Sequence, residues 1–188
     1  MYFRSLNLSL ADLLGKDYTD TVVEANLLLG RMTAEDAYKL AEEKIDFYPE
    51  NLQNLNKSLL DKVAKTVIKP FNNDVDGAPT NAFRKATNKD SAPITGAGCF
   101  RIGEDGRLYL IGKSEHYHAS LGHKFNGYKL IDNARELGIL NATHNNTRGY
   151  ITRLLETRLV QSANGVDWND YETTKKIVES TEPHLLII

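Results

Sequence analysis

The 188 residues suffice for one domain with a real core, or for a helical lobe joined to a smaller α+β unit. Hydrophobic residues at 41% and charged residues at 26% are the balance of a folded globular chain, which excludes a disordered or fibrous class. A net charge of −2 supplies no field to gather nucleic acid or anionic lipid, and a single cysteine, Cys99, excludes an internal disulfide framework or a cysteine-based zinc cluster.

No run of apolar residues is long enough to span a bilayer and no leader-like start is visible, so a reducing cytoplasm is the expected location. Ser9 before Leu10, Leu13, Leu14 and Gly15 predicts a short capped helix. A second helix is expected over 19–29, with Val22, Val23, Leu27 and Leu28 inward and Gly30 as its stop. Thr33-Ala34-Glu35-Asp36 has the form of a capping box. It opens a helix whose face carries Ala34, Ala37, Tyr38, Ala41, Ile45 and Tyr48 as far as Pro49. Asn51 is the expected cap of a further helix bearing Leu52, Leu55, Leu59, Val63 and Val67, ended by Pro70. These helices form a small bundle over 1–70.

Residues 71–95 turn to Asn, Asp, Thr, Pro and Gly and read as an irregular connection, the best internal boundary. Two short β-prone runs follow, 99–102 and 107–111, joined by Gly103-Glu104-Asp105-Gly106 as a hairpin. Helices are expected over 128–137, with Gly138 as stop, over 147–163 with Ile151, Leu154, Leu155 and Leu159 inward, and over 167–179. After Pro183, His184-Leu185-Leu186-Ile187-Ile188 reads as a strand. The class is α+β, predominantly helical.

The candidate chemistry is sparse. His116 and His118 share a face of an extended run and His123 lies five residues on, but nothing aims the third imidazole at the other two. No metal site is therefore assigned. Asp74-Val75-Asp76-Gly77 has the opening of a calcium loop without its later oxygen ligands, and reads as a turn. Gly96-Ala97-Gly98 precedes a strand, the wrong side for a phosphate loop. Cys99 reads as a buried, inert thiol. His144-Asn145-Asn146-Thr147-Arg148 gathers polar groups at a helix start, where they cap the helix or line a pocket.

One stretch carries a resemblance. From Gly98-Cys99-Phe100-Arg101-Ile102-Gly103 through Asp105-Gly106 and Tyr109-Leu110, with Ser114 and Ser120 and closing on Leu121-Gly122-His123, the chain resembles the N-terminal signature of class III pyridoxal-phosphate aminotransferases. Ile111 stands where that family usually has an acid, and Phe125-Asn126 where a proline is common. Residues 96–188 are the part that resembles the family.

The resemblance implies a fold-type I enzyme, usually a dimer, acting on a small-molecule amino compound. Its cofactor, pyridoxal phosphate, would belong to the complete enzyme and not be bound by this chain alone. The Schiff-base lysine, the acid on the pyridinium nitrogen and the phosphate-holding helix start come later in the family's order. The apolar run 185–188 would then be the first strand of that α/β cofactor domain, supplied by the remainder of the enzyme or by a second subunit. Ser114, His116, Tyr117 and His118 occupy the segment that approaches substrate in the family, with Asn145 and Arg148 as weaker additions. None is a catalytic residue. The competing expectation, from another class, is a freestanding helical binding or scaffold protein without catalytic activity.

Overall fold

A computed structural model describes residues 4–75, 77, 80–111, 121–139 and 148–180. In chain order these hold β1 (Asn7–Leu8), α1 (Leu10–Leu14), α2 (Lys16–Leu28), α3 (Ala34–Glu42), β2 (Ile45–Asp46), α4 (Glu50–Leu60) and α5 (Asn81–Ala86). There follow β3 (Pro93–Ala97), β4 (Phe100–Gly103), β5 (Leu108–Leu110), a 3-10 turn at Asn126–Tyr128, α6 (Lys129–Glu136), α7 (Tyr150–Ala163) and α8 (Tyr171–Glu179). The protein is α+β and predominantly helical, with its strands confined to small antiparallel sheets. Among the described residues no helix is long and apolar enough to cross a membrane.

The chain divides into two compact units that interleave in sequence. One joins the segment ending at Ser9 to Glu43–Asn133, and the other joins Leu10–Glu42 to the segment from Ala134 onward.

In the first unit the sheet order is β3-β4-β5, with Phe100 opposite Leu110 and Ile102 opposite Leu108. Phe100 and Leu108 are almost wholly buried, and a side chain of this size contributes about 1.5–3 kcal/mol on burial. Irregular backbone holds the meander along the outer edge of β5 and at the β3–β4 turn. Along β5, Ala64 N–H donates to Leu108 O at 2.7 Å and Val67 N–H to Gly106 O at 2.9 Å. At the β3–β4 turn, Gly98 and His123 exchange N–H···O bonds of 2.7 and 2.9 Å. Elsewhere in this unit β1 pairs antiparallel with β2. The Phe125 ring sits 5.4 Å from Phe47, 5.7 Å from Tyr48 and 5.4 Å from Tyr128. Aromatic pairs at such separations add about 0.5–1.5 kcal/mol each beyond their buried area.

The second unit has α1, α2 and α3 packed on one another around Leu10, Val23, Ala37 and Ala41, all buried. Small alanines on α3 let the helices approach closely. Thr33 caps α3 as expected, its hydroxyl accepting from Asp36 N–H at 3.1 Å. Tyr18 of α2 stacks on Tyr150 of α7 at 4.7 Å, and the Tyr150 hydroxyl donates to Leu14 O. The α7–α8 hairpin closes on Gln161, fully buried, whose amide donates to Thr174 Oγ1 at 2.9 Å.

Several expectations from sequence are corrected. The face α2 buries is Thr19, Val23 and Asn26, while Leu27 and Leu28 are exposed, Leu28 at 88%. Polar residues hold these positions because carbonyls accept from their donors: Thr19 donates to Lys16 O, and the Asn26 amide N–H groups to Val22 O and Leu137 O. The third helix stops at Glu42, and Ile45 is recruited into the β1–β2 pairing. Pro49, not Asn51, sits at the cap of α4, which ends at Leu60. Beyond it Ala64 takes a φ of +65° and Val63 bridges to Leu108, so the apolar spacing of Val63 and Val67 serves a sheet edge. The 71–95 stretch contains α5, capped by Thr80, and the start of β3. On α7, Val160 and Gln161 are buried while Leu155 is exposed. Cys99 is exposed at the β3–β4 turn rather than buried in a strand. The expected strand at 184–188 lies outside the described residues.

Candidate functional site

The richest polar constellation in the described residues surrounds the β4–β5 turn. Gly106 takes a φ of +75°, and a Cβ there would lie 2.2 Å from Ile68 O, so the turn tolerates glycine alone. Asp105 in this turn bonds back to β5. Its Oδ2 accepts the Tyr109 hydroxyl at 2.7 Å and its Oδ1 accepts Arg107 N–H at 3.0 Å. The Tyr109 hydroxyl, then the Arg107 backbone and guanidinium, hold the Asp105 carboxyl below the usual carboxylate range. The same bond, with partial desolvation, pushes the Tyr109 phenol up, because its proton is held by a carboxylate.

The connection at 70–74 lies against this turn. Phe71 N–H donates to Glu104 O at 2.7 Å, and Asn73 Nδ2 to Glu104 Oε2 at 3.1 Å. Between the two runs and Asp90 lies an open cleft of about 470 Å³, lined by Phe71, Asn72, Asn73, Asp74, Lys89, Asp90, Glu104 and Asp105 together with Pro70. Four carboxylates and one ammonium give it a negative field. No group of three or more His, Cys, Asp or Glu residues able to hold a metal ion occurs among the described residues.

The cleft does not fit pyridoxal phosphate. That group needs N–H donors and cations around a phosphate dianion and a lysine enclosed from water, whereas here four carboxylates face the space and Lys89 is exposed.

Of the residues picked from sequence, Ser114, His116, Tyr117, His118 and Asn145 lie outside the described residues. Arg148 is described: its guanidinium pairs with Glu156 of α7, and its carbonyl accepts from Arg153. That places it just ahead of α7, where it serves as a local brace. His123 is held by the sheet, because a Cβ on Gly96 would fall 2.4 Å from His123 Cδ2. Gly122 is equally constrained, its Cβ position lying 2.9 Å from Gly98 O. The Leu-Gly-His stretch and the Gly-Ala-Gly stretch, 25 residues apart in sequence, thus form one packed joint.

No family model, curated protein or solved structure matches the chain.

Sequence reasoning missed the cleft residues Asp74, Asp90 and Glu104 as a set. Their signal was compositional, an excess of Asp and Asn on either side of α5 and in the hairpin turn, and it was absorbed as turn chemistry.

Proposed function

We propose that this chain is the N-terminal portion of a pyridoxal-phosphate-dependent aminotransferase of class III, contributing substrate-side residues and packing, and inactive alone. The observation that carries the reading is the joint just described. The segment resembling the family signature supplies β4 and β5, two strands of the three-stranded meander, joined by the turn at Asp105-Gly106. Its closing Leu121-Gly122-His123 returns to pair with Gly98 beside the start of the same meander. The described parts of the signature, 98–111 and 121–123, thereby meet in one joint, and this supports the reading.

In this reading residues around 114–118 approach a small-molecule amino compound, and Asn145 and Arg148 stand at its periphery. The cofactor is held by the remainder of the enzyme or by a second subunit, consistent with a cleft here that repels phosphate. A reducing cytoplasm suits an exposed single cysteine.

The test is spectroscopic. With pyridoxal phosphate, the extended reading frame should develop a lysine-linked absorption band that borohydride abolishes, and this chain alone should show only free cofactor. A band from this chain alone, or none from any longer frame or added partner subunit, refutes the proposal. A second reading, a freestanding binding protein, is favoured by the exposed Leu27, Leu28 and Leu29 at the end of α2, which form an apolar patch. That reading predicts no cofactor band in any form, and loss of self-association or partner binding when the three are changed to Ser.

A further inference from the structure

In an Asn-Gly pair the glycine nitrogen can reach the side-chain amide carbon with no Cβ in its way, so such asparagines are the chemically labile ones. The chain has two, Asn126-Gly127 and Asn164-Gly165, and the structure treats them differently. Asn126 lies in the 3-10 turn with its amide donated to Asp46 O at 2.7 Å. Gly127 is buried, and a Cβ there would lie 2.4 Å from the Phe125 ring, which is itself locked among Phe47, Tyr48 and Tyr128. Bringing Asn126 Cγ to Gly127 N therefore requires giving up the bond to Asp46 O and unwinding a 3-10 turn whose buried glycine packs against the Phe125 ring.

Asn164 sits at the end of α7, and Gly165 is exposed, with no heavy atom within 4 Å of its Cβ position. The Gly165 N–H reaches Ser162 O only at 3.5 Å, the long limit of a hydrogen bond. What must yield includes the Asn164 amide bond to Val160 O at 2.9 Å and a backbone rotation from ψ of 7°. Both are last-turn features, where helices fray at low cost.

We propose that Asn164 is a site of spontaneous deamidation that resets the end of α7. Gly165 N loses its proton and attacks Asn164 Cγ, the Cγ–Nδ2 bond breaks, and ammonia leaves, closing a five-membered imide. Water then adds to either ring carbonyl, and the ring opens to aspartate or isoaspartate. Water is the one co-reactant, and no electrons are transferred.

The product has consequences for the hairpin. The amide that donated to Val160 O becomes a carboxylate beside the negative end of α7, where like charge is unfavourable. The isoaspartate form also lengthens the backbone by one atom just before Val166, whose N–H bonds Gln161 O at 2.9 Å. Loosening at that bond exposes the Gln161 contacts that join α7 to α8.

The experiment ages the full chain in warm, mildly alkaline buffer and follows both sites by peptide mapping with isoaspartate detection. In the folded protein Asn164 should convert roughly tenfold faster than Asn126, and in concentrated urea the two rates should converge, because only the fold separates them. Equal or faster conversion at Asn126 in the folded state overturns the proposal, as does a ratio that survives in urea. The substitution Asn164→Asp should reproduce the faster amide exchange of α8 seen in the aged protein. Unchanged exchange in both refutes the effect on the hairpin.

Discussion

Replacing Gly138 by alanine tests how α6 is terminated. Gly138 follows the last turn of α6 at a φ of +68°, and a Cβ there would lie 1.8 Å from Arg31 Nη1. The Arg31 guanidinium is there because Nη2 donates to Glu136 O at 3.2 Å, while Asn26 donates to the next carbonyl, Leu137 O. Two terminal carbonyls of α6 are thus capped by side chains from α2 and the loop after it, the caps a helix end otherwise lacks. Gly138→Ala adds about 1 kcal/mol of left-handed strain and displaces Arg31, forfeiting an exposed hydrogen bond of about 1 kcal/mol. The expected loss is about 2 kcal/mol, read as a lowered urea midpoint with unchanged slope.

Arg31→Ala alone should cost about 1 kcal/mol, and Gly138→Ala in that background only about 1 kcal/mol more, since the displaced bond is already gone. The cycle should therefore be sub-additive by about 1 kcal/mol. Strict additivity would mean that the guanidinium does not occupy the space over Gly138. A single-mutant loss under about 0.5 kcal/mol would refute the strain at that residue as well.

Gly96→Ala should destabilise the first unit by about 1–3 kcal/mol through overpacking, since its Cβ would meet His123 Cδ2 at 2.4 Å and Phe100 O at 2.6 Å. His123→Ala in the same chain should restore only part of the loss, as the backbone oxygen remains; full rescue, by thermal melting, would argue against the close approach of β4. For Asp105 the folded carboxyl is depressed below its ordinary 3.8, so its contribution is present above that value and lost as pH falls through the folded one. Tyr109→Phe removes the largest cause, so the variant should lose less stability than the parent on acidification below about pH 4, measured as urea midpoints against pH. Parallel curves for the two proteins would show that the phenol does not hold the carboxylate.

Local signals settled much of the secondary structure. Thr33 as a cap, Gly30 and Gly138 as stops, and Asp105-Gly106 as a hairpin turn stand where the residues themselves require, because each depends on a side-chain oxygen or a positive φ within a few residues. The α+β, mainly helical class follows from the same signals. Apolar spacing was less decisive, since Val63 and Val67 repeat at a helical interval yet lie along the edge of β5, and Leu27 and Leu28 face outward while Asn26 is buried.

Those outcomes belong to tertiary structure, for a physical reason. Whether a polar side chain is buried depends on a carbonyl arriving from elsewhere, as Leu137 O arrives at Asn26 from 111 residues away. The cleft beside Asp105 arises in the same way, from 70–74, Asp90 and the hairpin turn, three runs that look like separate loops until the backbone of Phe71 bonds Glu104. Sequence alone determined which segments turn, cap and pair locally; only the folded chain decided which distant groups satisfy one another.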